Sequence, residues 1–144
     1  MGLMIKGRAY AEPCTPKGII ALLKHYDVEM SGKKVAVLGR SQIVGWPMAW
    51  MLTRENATVT VCHDKTKDIA IHTRWADILV VAVGKKDLIS KGMFKKGSVV
   101  IDVGINREGD KLYGDVNFNA AKGVVNAITP VPGGVGPMTV ISLL

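Results

Sequence analysis

The run Lys33-Lys34-Val35-Ala36-Val37-Leu38-Gly39-Arg40-Ser41-Gln42-Ile43-Val44-Gly45-Trp46-Pro47 constrains the fold more than any other segment. An apolar stretch of strand character ends at Gly39. A short polar loop leads to Gly45, and helix-compatible residues follow. Strand, tight turn and helix start, in that order, form the junction found at the carboxyl end of a strand in a parallel α/β sheet. There the first N–H groups of the helix lack intrahelical acceptors and carry partial positive charge. A diphosphate is the natural ligand of such a site. The spacing departs from G-x-G-x-x-G: Ser41 takes the second glycine's place and the interval is longer. Two readings therefore stand, a phosphate cradle or glycines that serve only the turn. Arg40 and Ser41, a cation and a hydroxyl where a phosphate would arrive, favour the cradle.

The rest of the chain supplies the setting. Pro13-Cys14-Thr15-Pro16 predicts a helix start, with Thr15 as N-cap and Pro16 at the first helical position. Ile19, Ile20, Leu22, Leu23 and Tyr26 fall on one apolar face. Strands are expected near 34–38, 58–62, 77–83, 98–104 and 124–128, and helices near 44–55 and 67–75. Residues 111–116 read as a small hairpin or excursion, 129–137 as a rigid glycine-rich loop, and a further helix begins near Met138. Alternating strands and helices imply one α/β domain over residues 1–144, a doubly wound, Rossmann-type parallel sheet. Gly39, Gly84 and Gly104 each close a strand, and ligands of such sheets lie at the carboxyl strand ends.

Several function classes fall away. Cys14 and Cys62 cannot build a disulfide framework, and Cys62 reads as a buried reduced thiol. Cys62-His63-Asp64 does not make a metal site, because adjacent strand residues alternate faces. The net charge of +7 favours anionic ligands. The basic residues are dispersed, though, and the few aromatics are not interleaved with them, which argues against nucleic acid. No apolar stretch reaches the length of a membrane span, and the N-terminus does not read as a secretory signal. A cytoplasmic location is the default expectation.

Past the second expected strand comes His63-Asp64-Lys65-Thr66, where a dinucleotide fold meets the adenosine ribose. A carboxylate at Asp64 suits the free hydroxyls of NAD and repels the 2′-phosphate of NADP, while Arg40 and Lys65 could offset it. The alternative is that Asp64 caps the following helix. His63 reads as structural or exposed, Asp102 as a hydrogen-bonded structural carboxylate, and Met48, Trp50 and Met51 as helix packing. No nucleophile elbow, Walker lysine or poised carboxylate pair is present.

Four motifs carry a resemblance. Pro13-Cys14-Thr15-Pro16-Lys17-Gly18, Gly39-Arg40-Ser41-Gln42-Ile43-Val44-Gly45-Trp46-Pro47, Ile101-Asp102-Val103-Gly104-Ile105-Asn106 and Ile128-Thr129-Pro130-Val131-Pro132-Gly133-Gly134-Val135-Gly136-Pro137-Met138-Thr139 together resemble the bifunctional methylenetetrahydrofolate dehydrogenase/cyclohydrolase family. The likeness runs from Pro13 through nearly the whole chain, and it is to the family's second, NAD(P)-binding domain. The resemblance implies an NADP- or NAD-dependent oxidation of 5,10-methylenetetrahydrofolate. Hydrolysis of the methenyl product to 10-formyltetrahydrofolate follows, within the one-carbon metabolism that serves purine biosynthesis. It implies that Gly39, Arg40 and Ser41 hold cofactor phosphates and that Asp64, Lys65 and Thr66 face the adenosine ribose. Ile105, Gly136 and Thr139 would lie toward the nicotinamide, with Pro132, Gly133 and Gly134 edging the folate. Many relatives carry serine where Asp64 stands, which leaves NADP and NAD both open. In the family a first domain supplies the catalytic lysine and tyrosine, and nothing in this chain matches their motifs. The expectation is a cofactor domain without catalytic residues of its own, inactive alone, partnered by the folate substrate, the missing first domain and a second copy in a homodimer. The alternative is an isolated, non-catalytic dinucleotide-binding or subunit-interaction module.

Overall fold

The computed structural model describes residues 14–135. Helix α1 (Cys14–His25) leads into strand β1 (Lys34–Leu38), helix α2 (Gly45–Arg54), β2 (Thr58–Cys62), α3 (Ile69–Trp75), β3 (Ile78–Val81) and β4 (Val99–Asp102). A hairpin of β5 (Asn106–Glu108) and β6 (Lys111–Tyr113), a short helix α4 (Phe118–Ala121) and β7 (Ala127–Ile128) complete the order. Five strands form one parallel sheet in the order β2-β1-β3-β4-β7. The chain steps outward from β1 to β2, then returns to place β3 on β1's other side. The carboxyl ends of β1 and β3 therefore flank the switch point at which such sheets bind ligands.

Strand periodicity sorts the core into two layers. Val35, Val37, Ile78, Val80 and Ile101 pack with Ile19, Leu23, Met48, Met51 and Leu52 of α1 and α2 on one face. Ala36, Leu38, Leu79, Val81 and Val100 pack with Ala76, Ile89, Phe94, Val116 and Ala121 on the other. Cover on both faces explains why β3 is apolar at every position and wholly buried. Met48 and Met51 are buried packing residues, and Trp50 stacks beneath the Arg54 guanidinium at 4.9 Å.

Local details differ from the expectations for identifiable reasons. Helix α1 already includes Cys14, so Thr15 lies within it rather than capping it; Pro16 is tolerated in the first turn, where no intrahelical acceptor is needed. Tyr26 follows the helix and is 70% exposed. Helix α3 starts at Ile69 because Asp68, at φ +49°, is left-handed. Strand β3 stops at Val81, as the next amides but one, those of Val83 and Gly84, donate to the Asp115 carboxylate at 2.8 and 3.0 Å. Strand β7 is reduced to Ala127–Ile128, because the Val124 and Val125 amides close the end of α4 on the Ala121 carbonyl. The hairpin lies at 106–113, upstream of the expected excursion. The helix expected near Met138 lies outside the described residues.

Candidate functional site

The loop after β1 is a tight cradle. Gly39 has φ +112°, a conformation that disfavours any side chain, and a Cβ there would overlap the Ala82 carbonyl at the end of β3. A Cβ on Gly45 would lie 2.6 Å from the Gly39 carbonyl carbon and 2.7 Å from Arg40 Cα. The loop thus folds back on the first residue of α2, and only two bare backbones approach so closely. Ser41 closes the turn: its Oγ accepts from the Val44 and Gly45 amides at 3.1 and 3.4 Å, and its carbonyl accepts from Trp46 at 3.0 Å. Among the described residues, the amides of Arg40, Ser41, Gln42 and Ile43 donate to no protein acceptor. An open row of amides ahead of a helix start, with Arg40 half-exposed beside it, fits a diphosphate. Ser41 contributes as the cap that shapes the loop, and its hydroxyl hydrogen stays available to a phosphate oxygen.

The residues after β2 are brought to this loop. The Gly39 amide donates to the Cys62 carbonyl at 2.8 Å, tying the end of β2 to the end of β1. Arg40 then reaches Asp64, with Nη2 3.3 Å from Oδ1, while Lys65 Nζ stands 3.9 Å from Oδ2. Asp64 does not cap α3, whose cap position is Asp68. His63 has a structural role: its Nδ1 accepts from the Lys65 amide at 3.1 Å. Thr66 Oγ1 accepts from the His63 amide at 2.9 Å, so this hydroxyl holds the turn. The Cys62 thiol is buried, and burial pushes its pKa up, which makes it inert packing.

Ile105 follows β4 and is 65% exposed. Its loop is held by two buried carboxylates. Asp102 accepts from the amides of Gly104, Asp115 and Val116, each at 3.0 Å. Asp115 accepts from Val83, Gly84 and, at 2.9 Å, Asn106 Nδ2. Burial raises the Asp102 pKa, with the three amides opposing. Gly104 and Gly114 leave the room these carboxylates occupy. Asp102 is thus the structural carboxylate expected. Asp115 escaped the sequence reading, because nothing in a hairpin-flanking Gly-Asp marks it as the partner of a distant strand end.

Gly133 and Gly134 line an apolar groove of about 490 Å³ with Leu22, Tyr26, Ile101 and Ile128, and Pro132 stands beside them. A second cavity of about 440 Å³ opens past β4 and β7, where Asp102, Thr129 and Pro130 meet Lys86 and Tyr113. Gly136 and Thr139 lie outside the described residues.

The family described as "Tetrahydrofolate dehydrogenase/cyclohydrolase, NAD(P)-binding domain" matches residues 13–144. The chain is 56% identical to the bifunctional protein FolD of Bacillus subtilis, over 99% of its own length and 51% of that protein's. A solved structure of the bifunctional FolD enzyme from Campylobacter jejuni superposes with TM-score 0.95 at 48% identity, covering 99% of this chain and 51% of that one. The Trypanosoma brucei enzyme, solved with NADP cofactor and inhibitor, superposes with TM-score 0.87 at 45% identity over 92% of this chain and 48% of that one. The chain spans about half the length of the curated relatives it matches.

Proposed function

This chain belongs to the tetrahydrofolate dehydrogenase/cyclohydrolase family as an NAD(P)-binding domain, and we propose that it serves as the cofactor half of an enzyme acting on folate-bound one-carbon units. The enzyme oxidises 5,10-methylenetetrahydrofolate with NAD(P) and hydrolyses the methenyl product to 10-formyltetrahydrofolate. The observation that carries this reading is the Gly39–Gly45 loop at the switch point, folded so tightly that a Cβ on either glycine would overlap backbone, with the amides of 40–43 left open.

The bound dinucleotide supplies a hydride acceptor. This chain's residues bind and orient. The amides of 40–43 and the start of α2 receive the diphosphate, Arg40 adds a cation, and Asp64 with Lys65 faces the adenosine ribose. Ile105 offers an apolar surface to the nicotinamide half. Pro132, Gly133 and Gly134 edge the folate, where lack of side-chain bulk lets two flat rings come within the ~3–3.5 Å that hydride transfer needs. The catalytic lysine and tyrosine come from a first domain that these residues do not include, and the working assembly is a homodimer. Dispersed basic residues support a small anionic ligand rather than nucleic acid. Two unpaired cysteines suit a reducing, cytoplasmic setting, and no described helix is long and apolar enough to cross a membrane.

Isothermal titration of the chain with NAD and NADP tests the reading. Saturable binding of at least one, weakened in a Gly45→Ala variant, is expected. No binding of either at millimolar concentration would refute it.

A further inference from the structure

We propose that Asp64 and Arg40, acting as a pair, make this site select NAD over NADP. The proposal rests on the dinucleotide reading above and deepens it.

The position follows from the backbone. Strand β2 lies beside β1, and Cys62 is tied to Gly39, so the turn after β2 stands next to the cradle. A dinucleotide whose diphosphate occupies that cradle lays its adenosine ribose over this turn. The turn is fixed from within: the His63 amide donates to Thr66 Oγ1, the Thr66 amide to the His63 carbonyl at 3.0 Å, and the Lys65 amide to His63 Nδ1. None of these bonds uses the Asp64 carboxylate, and neither does the cap of α3. Asp64 faces Arg40, with Lys65 and the His63 imidazole more distant at 3.9 and 3.8 Å, and its side chain is 63% exposed.

The chemistry separates the two cofactors. A ribose diol donates hydrogen bonds, and a carboxylate only accepts them. A 2′-phosphate is an acceptor carrying more than one negative charge near neutral pH. It must either meet Asp64 with Arg40 still engaged, or draw Arg40 away and leave Asp64 with only the exposed Lys65 ammonium, 3.9 Å off, to offset its charge. The diol requires neither. Lys65 does not reverse the balance, since its ammonium is 80% exposed and already leans on the same carboxylate.

The test is titration calorimetry of the full chain with NAD, NADP, AMP and adenosine 2′,5′-bisphosphate at constant pH and salt. The wild type is expected to bind NAD about tenfold or more tightly than NADP, and AMP more tightly than the bisphosphate. Asp64→Ser is expected to tighten NADP by about tenfold while weakening NAD, and the added Arg40→Ala to abolish that gain. Circular dichroism checks that the variants fold, and the wild-type AMP-to-bisphosphate ratio decides the matter should either not fold. Equal or tighter wild-type binding of NADP, or a ratio unmoved in Asp64→Ser, overturns the selectivity and leaves the dinucleotide reading standing. No binding of any ligand overturns both.

Discussion

Gly45 stands over Gly39 so closely that a methyl group on the first would overlap the carbonyl of the second. Backbone here does the work that a side chain does elsewhere. The loop is compact because both contributors are bare, and its amides are consequently presented as a row rather than buried under substituents.

Gly45→Ala should therefore act on stability and binding together. Relief of the overlap requires the loop to move off α2, at a cost of about 1–3 kcal/mol. Urea denaturation is expected to show that loss, and calorimetry a Kd for dinucleotide raised by tenfold or more. A variant with wild-type stability and affinity would contradict the cradle.

Asp115 joins the loop after β3 to the start of β5 through Val83, Gly84 and Asn106. Asp115→Ala leaves those part-buried donors without their acceptor and should cost about 1–3 kcal/mol. Hydrogen exchange is the discriminating measurement. The amides of Val83 and Gly84 should lose protection well before those of β1, and unchanged exchange there would exclude a bracing role.

Asp102 gives a pH signature. Its pKa is raised in the folded state, chiefly by burial, so between the ordinary carboxylate value and the raised one the folded chain binds more protons than the unfolded chain. Its contribution to stability is present below the unfolded value and is lost as pH rises through the folded one. The gap in Tm between wild type and Asp102→Asn should narrow as pH rises across that window. A gap that widens would reverse the sign assigned here.

If the first domain carries the catalytic lysine and tyrosine, this chain alone should give no measurable oxidation of 5,10-methylenetetrahydrofolate in a spectrophotometric assay while still binding dinucleotide. Turnover by the purified chain would place catalytic groups within its 144 residues.

The sheet was legible because its signals are local: β-branched or apolar runs stopped by glycine at 39 and 84, and helix-spaced apolar residues from Ile19 to Leu23. The cradle was legible for the same reason, lying within one continuous segment. What the sequence concealed depends on partners distant along the chain. Asp115 meets Val83 and Gly84 only after the intervening loop has folded, and that meeting ends β3 early. The shortening of β7 is a competition between helix closure and strand pairing for the amides of Val124 and Val125, which residue type alone does not decide. Arg40 and Asp64 were each visible as candidates, but their mutual contact required the register of β1 against β2.

Every strand of the main sheet points the same way, which divides the molecule into two unequal rims. One gathers Gly39, Asp64, Gly84 and Ile105. The other is closed by modest devices, such as the Gly32 amide on the Asn56 carbonyl and the Lys95–Asp77 ion pair. The Ser31-Gly32 bend belongs to that second rim, at the opposite end of β1 from Gly39, so a change there reaches the first rim only through the length of the strand.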